Sequence, residues 1–315
     1  MPGDTSDLTP VVWSFHDDPD DFLREAAPLL AQDAAAAAII TANAHRVAES
    51  IAAGDPAPTY PRWFAVASRG AEPTAVAMRT AWFVPYPPWL LPMSDDAAVT
   101  LAETLVARGE VVGGANGSVP AARVFADRVA ELTGGSVEVL LHLRQWELRE
   151  VTPSAARNAV AGRARPALRS DQEVLVRWWL GFDADAELQG GRTPSGRAAD
   201  GAEERATASV ERKTADANLW VWEVDGEVVS MAGASAADFG VVNLSPVYTP
   251  ASHRGYGYAS ALVAGLASDR LARGLRVCLF TDQANPVANG VYARIGFQPL
   301  SDNIELTIRP ARKNL

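Results

Sequence analysis

Cysteine is nearly absent: Cys278 is the only one in 315 residues. One thiol excludes an internal disulfide and a cysteine-based zinc site, so neither staple holds this fold. Histidine is scarce as well, and His16, His45, His142 and His253 lack the spacing of metal ligands, so no metal is expected. Basic residues are outnumbered, 28 Lys and Arg against 38 Asp and Glu, and the formal charge of −10 repels a nucleic-acid backbone. DNA or RNA binding is therefore not expected as the main activity. No apolar run approaches the roughly 20 residues of a membrane helix. The opening Met-Pro-Gly-Asp-Thr-Ser-Asp lacks the basic and then apolar regions of a secretory leader, so the expected location is the cytoplasm, with no membrane partner.

A hydrophobic fraction of 48% and a charged fraction of 21% describe an ordinary globular protein. The length favours two domains, expected at 1–150 and 151–315. In the first, residues 11–53 are expected to be helical, with Phe22, Leu23, Leu29, Leu30 and the run from Ala34 to Ile40 as apolar faces. Strands follow at 63–68 and 74–84. Pro85-Tyr86-Pro87-Pro88-Trp89-Leu90-Leu91-Pro92 is expected to form neither helix nor central strand, because proline removes donors. A helix at 95–108, a strand near 111–115, a helix at 120–132 and a strand at 137–148 complete this half.

The second half opens on a capping box, Ser170 with Glu173, leading a helix through about Leu188 that carries Trp178 and Trp179. Gly190–Gly196 is loop by composition, and 203–214 is a second helix. Strands at 219–224 and 227–235 flank Asp225-Gly226, a strong hairpin signal. A strand at 241–249, a helix at 259–273 ended by Gly274, and an apolar strand at 276–281 come next. Asn285 caps a helix with Pro286 at its first position and Gly296 after it, and 298–309 returns as a hairpin. The two halves share one order of elements, which we read as a divergent internal duplication. In that alignment Gly114–Gly117 falls beside Gln283–Pro286, and Pro85–Trp89 takes the place of Arg254–Ala259.

Val241–Phe297 is the most informative stretch. Arg254-Gly255-Tyr256-Gly257-Tyr258-Ala259 joins a strand to a helix, leaving backbone N–H groups aimed at one spot with a helix dipole behind them. That is a place to hold a phosphate. Downstream, Asn285, Asn289 and Tyr292 are spaced i, i+4, i+7 and share one helix face, with Val287, Val291 and Ile295 on the other.

Arg254-x-x-Gly257-x-Ala259 resembles the pyrophosphate-binding motif of the GNAT superfamily of acyl-CoA N-acyltransferases. Asn285 through Phe297 resembles the same superfamily's signature, Asn-x-x-x-Asn-x-x-Tyr-x-x-x-Gly-Phe. The likeness covers about 165–309 well and 1–150 only as a diverged copy. It implies an α/β (α+β) fold of two GNAT-like domains, each a mixed, mostly antiparallel central sheet flanked by helices. In the C-terminal copy a strand pair would splay at a bulge near Asn243–Pro246. It also implies acetyl-CoA as cosubstrate, held by Val247, Tyr248 and Thr249, by Arg254, Gly255, Tyr256, Gly257, Tyr258 and Ala259, and by Asn285, Asn289 and Tyr292. The acetyl group would pass directly to an amine of a small molecule or peptide, with Tyr292 protonating the leaving thiolate and backbone N–H groups such as that of Tyr248 stabilising the oxyanion. The alternative is a non-catalytic acyl-CoA-binding or sensing protein.

The general base stays open. Glu223 on a central strand and Asp238 in the loop before the splayed strand are candidates, each also readable as a solvated or turn carboxylate, and water alone relays the proton in many such enzymes. His253 reads as a loop residue near the phosphates. Arg270, Arg273 and Arg276 either hold the 3′-phosphate or satisfy a helix dipole. Cys278 reads as inert core, and Trp178 with Trp179 as one core and one surface aromatic. Acceptor selection is expected at Gly190–Gly196, and the oligomeric state as monomer or homodimer.

Overall fold

The computed structural model describes residues 9–156, 160–189, 201–309 and 311. They divide into two compact units, Met1–Leu143 with Ser301–Leu315, and Arg144–Leu300. The loop expected at Gly190–Gly196 lies outside the described residues.

The first unit begins with a strand, β1 (Val11–His16), where helix was expected. Val11 and Trp13 are buried and alternate with exposed Val12 and Ser14, the period of two that belongs to a strand. It runs antiparallel to β2 (Trp63–Arg69) from Val11↔Arg69 to His16↔Phe64. Helix proper starts later, at α1 (Pro19–Gln32) and α2 (Ala34–Ala52). Asp18 Oδ1 accepts from Asp20 N–H at 2.8 Å and Asp33 Oδ1 from Ala36 N–H at 3.1 Å, so each helix has a side-chain cap. β3 (Glu72–Arg79), β4 (Trp89–Leu90), α3 (Asp95–Ala107), β5 (Gly114–Ser118), α4 (Ala121–Thr133) and β6 (Ser136–Leu148) follow. β4 corrects the reading of the proline-rich segment. Trp89 and Leu90 pair with Met78 and Ala77 on one side and with Asn116 and Gly117 on the other. Neither is a proline, so both keep the amide that an interior strand needs. Phe64 and Val66 of β2 pack with Phe22 and Ile40 beneath α1 and α2, while Trp63, Ala65 and Ala67 pack with Leu101 and Phe125 of α3 and α4.

The second unit repeats this plan. After α5 (Pro153–Ala156) come β7 (Arg163–Pro166), α6 (Gln172–Gln189), α7 (Ala202–Ala215), β8 (Leu219–Val224), β9 (Glu227–Ala234), β10 (Val241–Tyr248), α8 (Tyr258–Ala272), β11 (Arg276–Asp282) and α9 (Pro286–Ile295). Asp225 and Gly226 turn the β8–β9 hairpin at φ 48° and 85°, as a type I′ turn requires. Ahead of α6, a 3-10 turn at Arg169–Asp171 is closed by Asp171 Oδ2, which accepts from Leu168 N–H at 2.8 Å. Strands run β7-β8-β9-β10-β11-β6, with β10 and β11 parallel and the β7–β10 pairs antiparallel. The α8 and α9 side is filled by Val242, Leu244, Leu262, Leu266, Val277 and Phe297, and the α6 and α7 side by Leu175, Trp178, Val210, Val221 and Met231. No helix among the described residues is long and apolar enough to cross a membrane.

The elements also correct the alignment of the two halves. Pro85–Pro88 precedes β4 and so matches the β9–β10 loop, and the counterpart of Arg254–Ala259 is the short link from β4 to α3. Gly114–Ser118 is a strand, equivalent to β11, and does not match the cap at Asn285.

The stretch 298–309 is a single strand, β12 (Gln298–Arg309), where a hairpin was expected. Its residues 303–307 pair antiparallel with Ser118–Gly114 of β5, and Ile304, Leu306 and Ile308 are buried in the first unit's core. Reciprocally, β6 leaves the first unit at Leu143, and Trp146 and Leu148 join the second unit's core. The two copies trade strands across the boundary expected near residue 150. Burying three such apolar side chains is worth about 5–9 kcal/mol, comparable to the whole stability of a domain. A chain ended at Leu300 should therefore lose the cooperative melting transition of the first unit. Loss of amide protection confined to residues 9–143 in hydrogen exchange is the expected record, and an unaltered pattern there would refute the exchange.

Candidate functional site in the second unit

β10 pairs with β11 at only three positions, Val241↔Arg276, Val242↔Val277 and Asn243↔Cys278. Its register against β9 then shifts between Leu244 and Val247, at the expected bulge, and resumes at Val247↔Ala232 and Tyr248↔Met231. Beyond Asn243, β10 stays with β9 and leaves β11, so a gap opens between Leu244–Tyr248 and Leu279–Asp282. Strand backbones present alternate peptide groups to each side, so the walls of the gap offer main-chain hydrogen bonds to an extended guest.

At the mouth of the gap, β10 ends in Thr249-Pro250, a 3-10 turn at Ala251–His253 and then the glycine loop. Gly255 and Gly257 hold φ of 89° and 83°, a region L side chains rarely adopt. Gly257 is the N-cap of α8 and has no capping side chain, so the N–H groups of Tyr258, Ala259 and Ser260 are left for a ligand. A Cβ at Gly257 would come within 3.2 Å of Val160 Cγ2, whereas at Gly255 it would meet open space. These amides, with the positive end of a 15-residue helix behind them, fit an anion.

Arg254 serves the loop differently from expectation. Its Nε donates to Thr249 O at 2.8 Å, one Nη pairs with Asp185 Oδ2 at 2.8 Å, and the guanidinium lies 5.8 Å from the Tyr248 ring centroid. The side chain ties the loop to β10 and α6, leaving the backbone as the anion donor. The Tyr248 ring lies against α6, where a Cβ on Gly181 would be 2.7 Å from its hydroxyl. Val247 packs on the opposite face with the α8 core. Tyr256 is exposed and stacks on Tyr258 at 5.4 Å.

The second motif divides into support and chemistry. Asn285 Oδ1 accepts from Ala288 N–H at 3.0 Å, the cap read from the sequence. Asn289 is fully engaged: its Oδ1 accepts from Thr281 Oγ at 2.6 Å and its Nδ2 donates to the carbonyls of Asp282 and Gln283, each at 3.1 Å. Trp146 Nε1 donates to the same Thr281 hydroxyl at 2.8 Å, so α9 is bolted to the end of β11. Tyr292 is thereby positioned, half-buried and edge-on to Phe297 at 5.7 Å. Burial pushes its phenol up to about 12, which keeps it a neutral O–H donor across the physiological range.

Glu223, the candidate base, is tied into ion pairs. Its two oxygens pair with Arg165 at 2.6 Å and Arg163 at 2.9 Å, and hydrogen bonds from these guanidiniums, Arg165 foremost, hold the carboxyl below its ordinary value. His253 lies 3.5 Å from Glu227, in keeping with its reading as a loop residue. The three arginines proposed for a 3′-phosphate are at the wrong end of α8, about 22 Å from its N-terminus at 1.5 Å per residue. Arg270 is buried against Ala217 O and Asn218 Oδ1, each at 3.0 Å, Arg273 pairs with Asp269, and Arg276 with Glu147. Cys278 is buried in β11, and Trp178 is core while Trp179 is partly buried.

Among the described residues, the first unit has no equivalent crevice. β4 is only Trp89–Leu90, both paired to β5, and four residues link it to α3, against nine between β10 and α8. A Cβ at Gly117 would lie 2.1 Å from Leu90 O, so the two strands are in contact where β10 and β11 part.

A mixed central sheet whose parallel pair parts above a helix N-terminus defines the α/β class of the second unit. Residues 187–297 match the sequence profile of the Acetyltransferase (GNAT) family. Among solved structures, a GCN5-related N-acetyltransferase from Sphaerobacter thermophilus is 18% identical, with 97% of each chain covered and a TM-score of 0.60. A GNAT-family acetyltransferase from Colwellia psychrerythraea is 11% identical over 95% of this chain and 99% of that one, at 0.56. A tandem GNAT protein from the clavulanic acid biosynthesis pathway is 12% identical over 97% and 100%, at 0.54. No curated protein matches the chain. The family match thus lies within the second unit, and the likeness to the solved structures extends the tandem GNAT fold over both units.

Proposed function

We propose that the second unit is an N-acetyltransferase that moves an acetyl group from acetyl-CoA to an amine of a small molecule or peptide. The carrying observation is the pairing of an uncapped helix N-terminus at Gly257 with a Tyr292 phenol that burial keeps neutral, on the helix that follows β11. The Gly255–Ser260 amides would hold the pyrophosphate, and the free edges of β10 and β11 the pantetheine arm. Bound acetyl-CoA supplies an activated thioester carbonyl. As the amine nitrogen bonds to that carbon and the C–S bond breaks, the sulfur carries away the electron pair and takes a proton from Tyr292; the amine's own proton passes to solvent, from which Tyr292 regains one. The first unit, with neither gap nor cradle, is proposed to bind no acyl-CoA.

The alternative, binding or sensing without transfer, draws on Glu223 being locked in ion pairs. Thiol release from acetyl-CoA across a panel of primary amines separates the two. Release with at least one amine, alongside one acetyl-CoA per chain by calorimetry, is the expected result. Binding with no release from any amine would leave only the sensing reading.

A further inference from the structure

Asn243 is the last residue of β10 paired to β11, and the strand swings away immediately after it. Its main chain is engaged, the N–H donating to Ser235 Oγ at 3.0 Å and the C=O accepting from Ser235 N–H at 2.8 Å. Its side-chain Oδ1 is buried and accepts no hydrogen bond. Leaving a buried acceptor unmade costs about 1–3 kcal/mol, and such a group calls for an explanation in function or in a missing partner.

The direction of this side chain narrows the explanation. Val242 and Leu244, its neighbours, lie in the core with α8, so strand alternation sends Asn243 to the opposite, α6-facing side. Tyr292 belongs to the α8 and α9 side. The two residues thus stand on opposite faces of the sheet, the disposition that separates an incoming nucleophile from a leaving group.

We propose that Asn243 Oδ1 is the hydrogen-bond acceptor that holds the attacking amine, a role that rests on the acetyl-transfer reading above. An uncharged carboxamide takes an N–H of the amine and aims its lone pair at the thioester carbon without favouring the ammonium form, as a carboxylate would. Asn243 gains and loses no proton; it sets orientation, while the amine's proton goes to solvent.

The test uses the full chain with Asn243→Leu, which keeps the volume and removes the acceptor, and Asn243→Asp, which adds charge. The substrate probe is whichever of benzylamine, spermidine and a lysine-bearing peptide the wild type acetylates best. Asn243→Leu is expected to raise the amine KM roughly tenfold or more, the loss of one hydrogen bond to a buried group, with acetyl-CoA affinity unchanged. Calorimetric binding of the same amine to the enzyme–CoA complex should weaken in parallel. Asn243→Asp should move the acid limb of the kcat/KM profile upward by about one pH unit, because a nearby carboxylate stabilises the ammonium. Unchanged amine KM and pH profile in both variants would overturn the assignment, as would equal loss of acetyl-CoA and amine binding. If the wild type releases no thiol with any amine, the acetyl-transfer reading fails. Calorimetry with the three amines on the CoA complex then decides Asn243 separately, and no weakening in Asn243→Leu overturns it.

Discussion

Gly257→Val is expected to weaken acetyl-CoA binding at least a hundredfold while the second unit stays folded. Valine at φ 83° carries backbone strain of about 1–3 kcal/mol, and its Cβ would press on Val160 Cγ2 at 3.2 Å. Relief of that strain must move the loop, and amides that leave a charged oxygen forfeit about 1.5–3 kcal/mol each. Two effects of this size together exceed the roughly 2.7 kcal/mol of a hundredfold change. Gly255→Ala is the control: its φ of 89° strains the backbone, but its Cβ would meet open space, so its loss should be distinctly smaller. Calorimetric Kd values together with thermal melting decide the matter. A Gly257→Val protein with wild-type affinity would show that the loop is structural.

Tyr292→Phe should lower kcat by about 10²–10⁴, the usual worth of a positioned proton donor, with acetyl-CoA affinity nearly unchanged. The ring remains to pack on Phe297, so the fold should tolerate the change. The same variant carries a signature in stability. Below the ordinary tyrosine range near 10, folded and unfolded chains both keep this proton and nothing is at stake. Between there and the folded value of about 12 the unfolded chain releases it first, so stability falls as pH rises. Removing the hydroxyl removes that part of the alkaline loss, and the urea midpoint of the variant should drop less between pH 8 and pH 11. A normal kcat would take Tyr292 out of the acid role; an identical alkaline drop would show that its phenol is not held neutral by burial.

Much of the second unit could be read before any coordinates because its signals are local. Asp225-Gly226 and the Asn285 cap before Pro286 each act within a few residues, and the β10 register shift falls where the resemblance implied a bulge. What escaped is long-range. Val11–His16 is a strand because β2 lies beside it, a fact 50 residues away in sequence. Arg254 matches its motif position, yet its guanidinium is spent on Thr249 and Asp185. Glu223 is paired with Arg163 and Arg165, partners on a neighbouring strand that no spacing rule brings forward. The duplication was legible as an order of elements, but the offset between its copies was not, since two short proline-rich and glycine-rich segments align equally well on either side of β4.

The traded strand has a consequence for how the chain is made. Ser118 of β5 and Asn303 of β12 are 185 residues apart in sequence. At a ribosomal pace of about 5–20 residues per second, the neighbour that β5 requires arrives roughly 10–40 s after β5 itself. During that interval the first unit waits with an open sheet edge, the kind of surface on which nascent chains stick to one another. The waiting strand is Gly114-Ala115-Asn116-Gly117-Ser118, five small or polar residues with little tendency to recruit a stranger. A richer apolar sequence there would pair better with β12 and, for the same reason, would accept the wrong partner first.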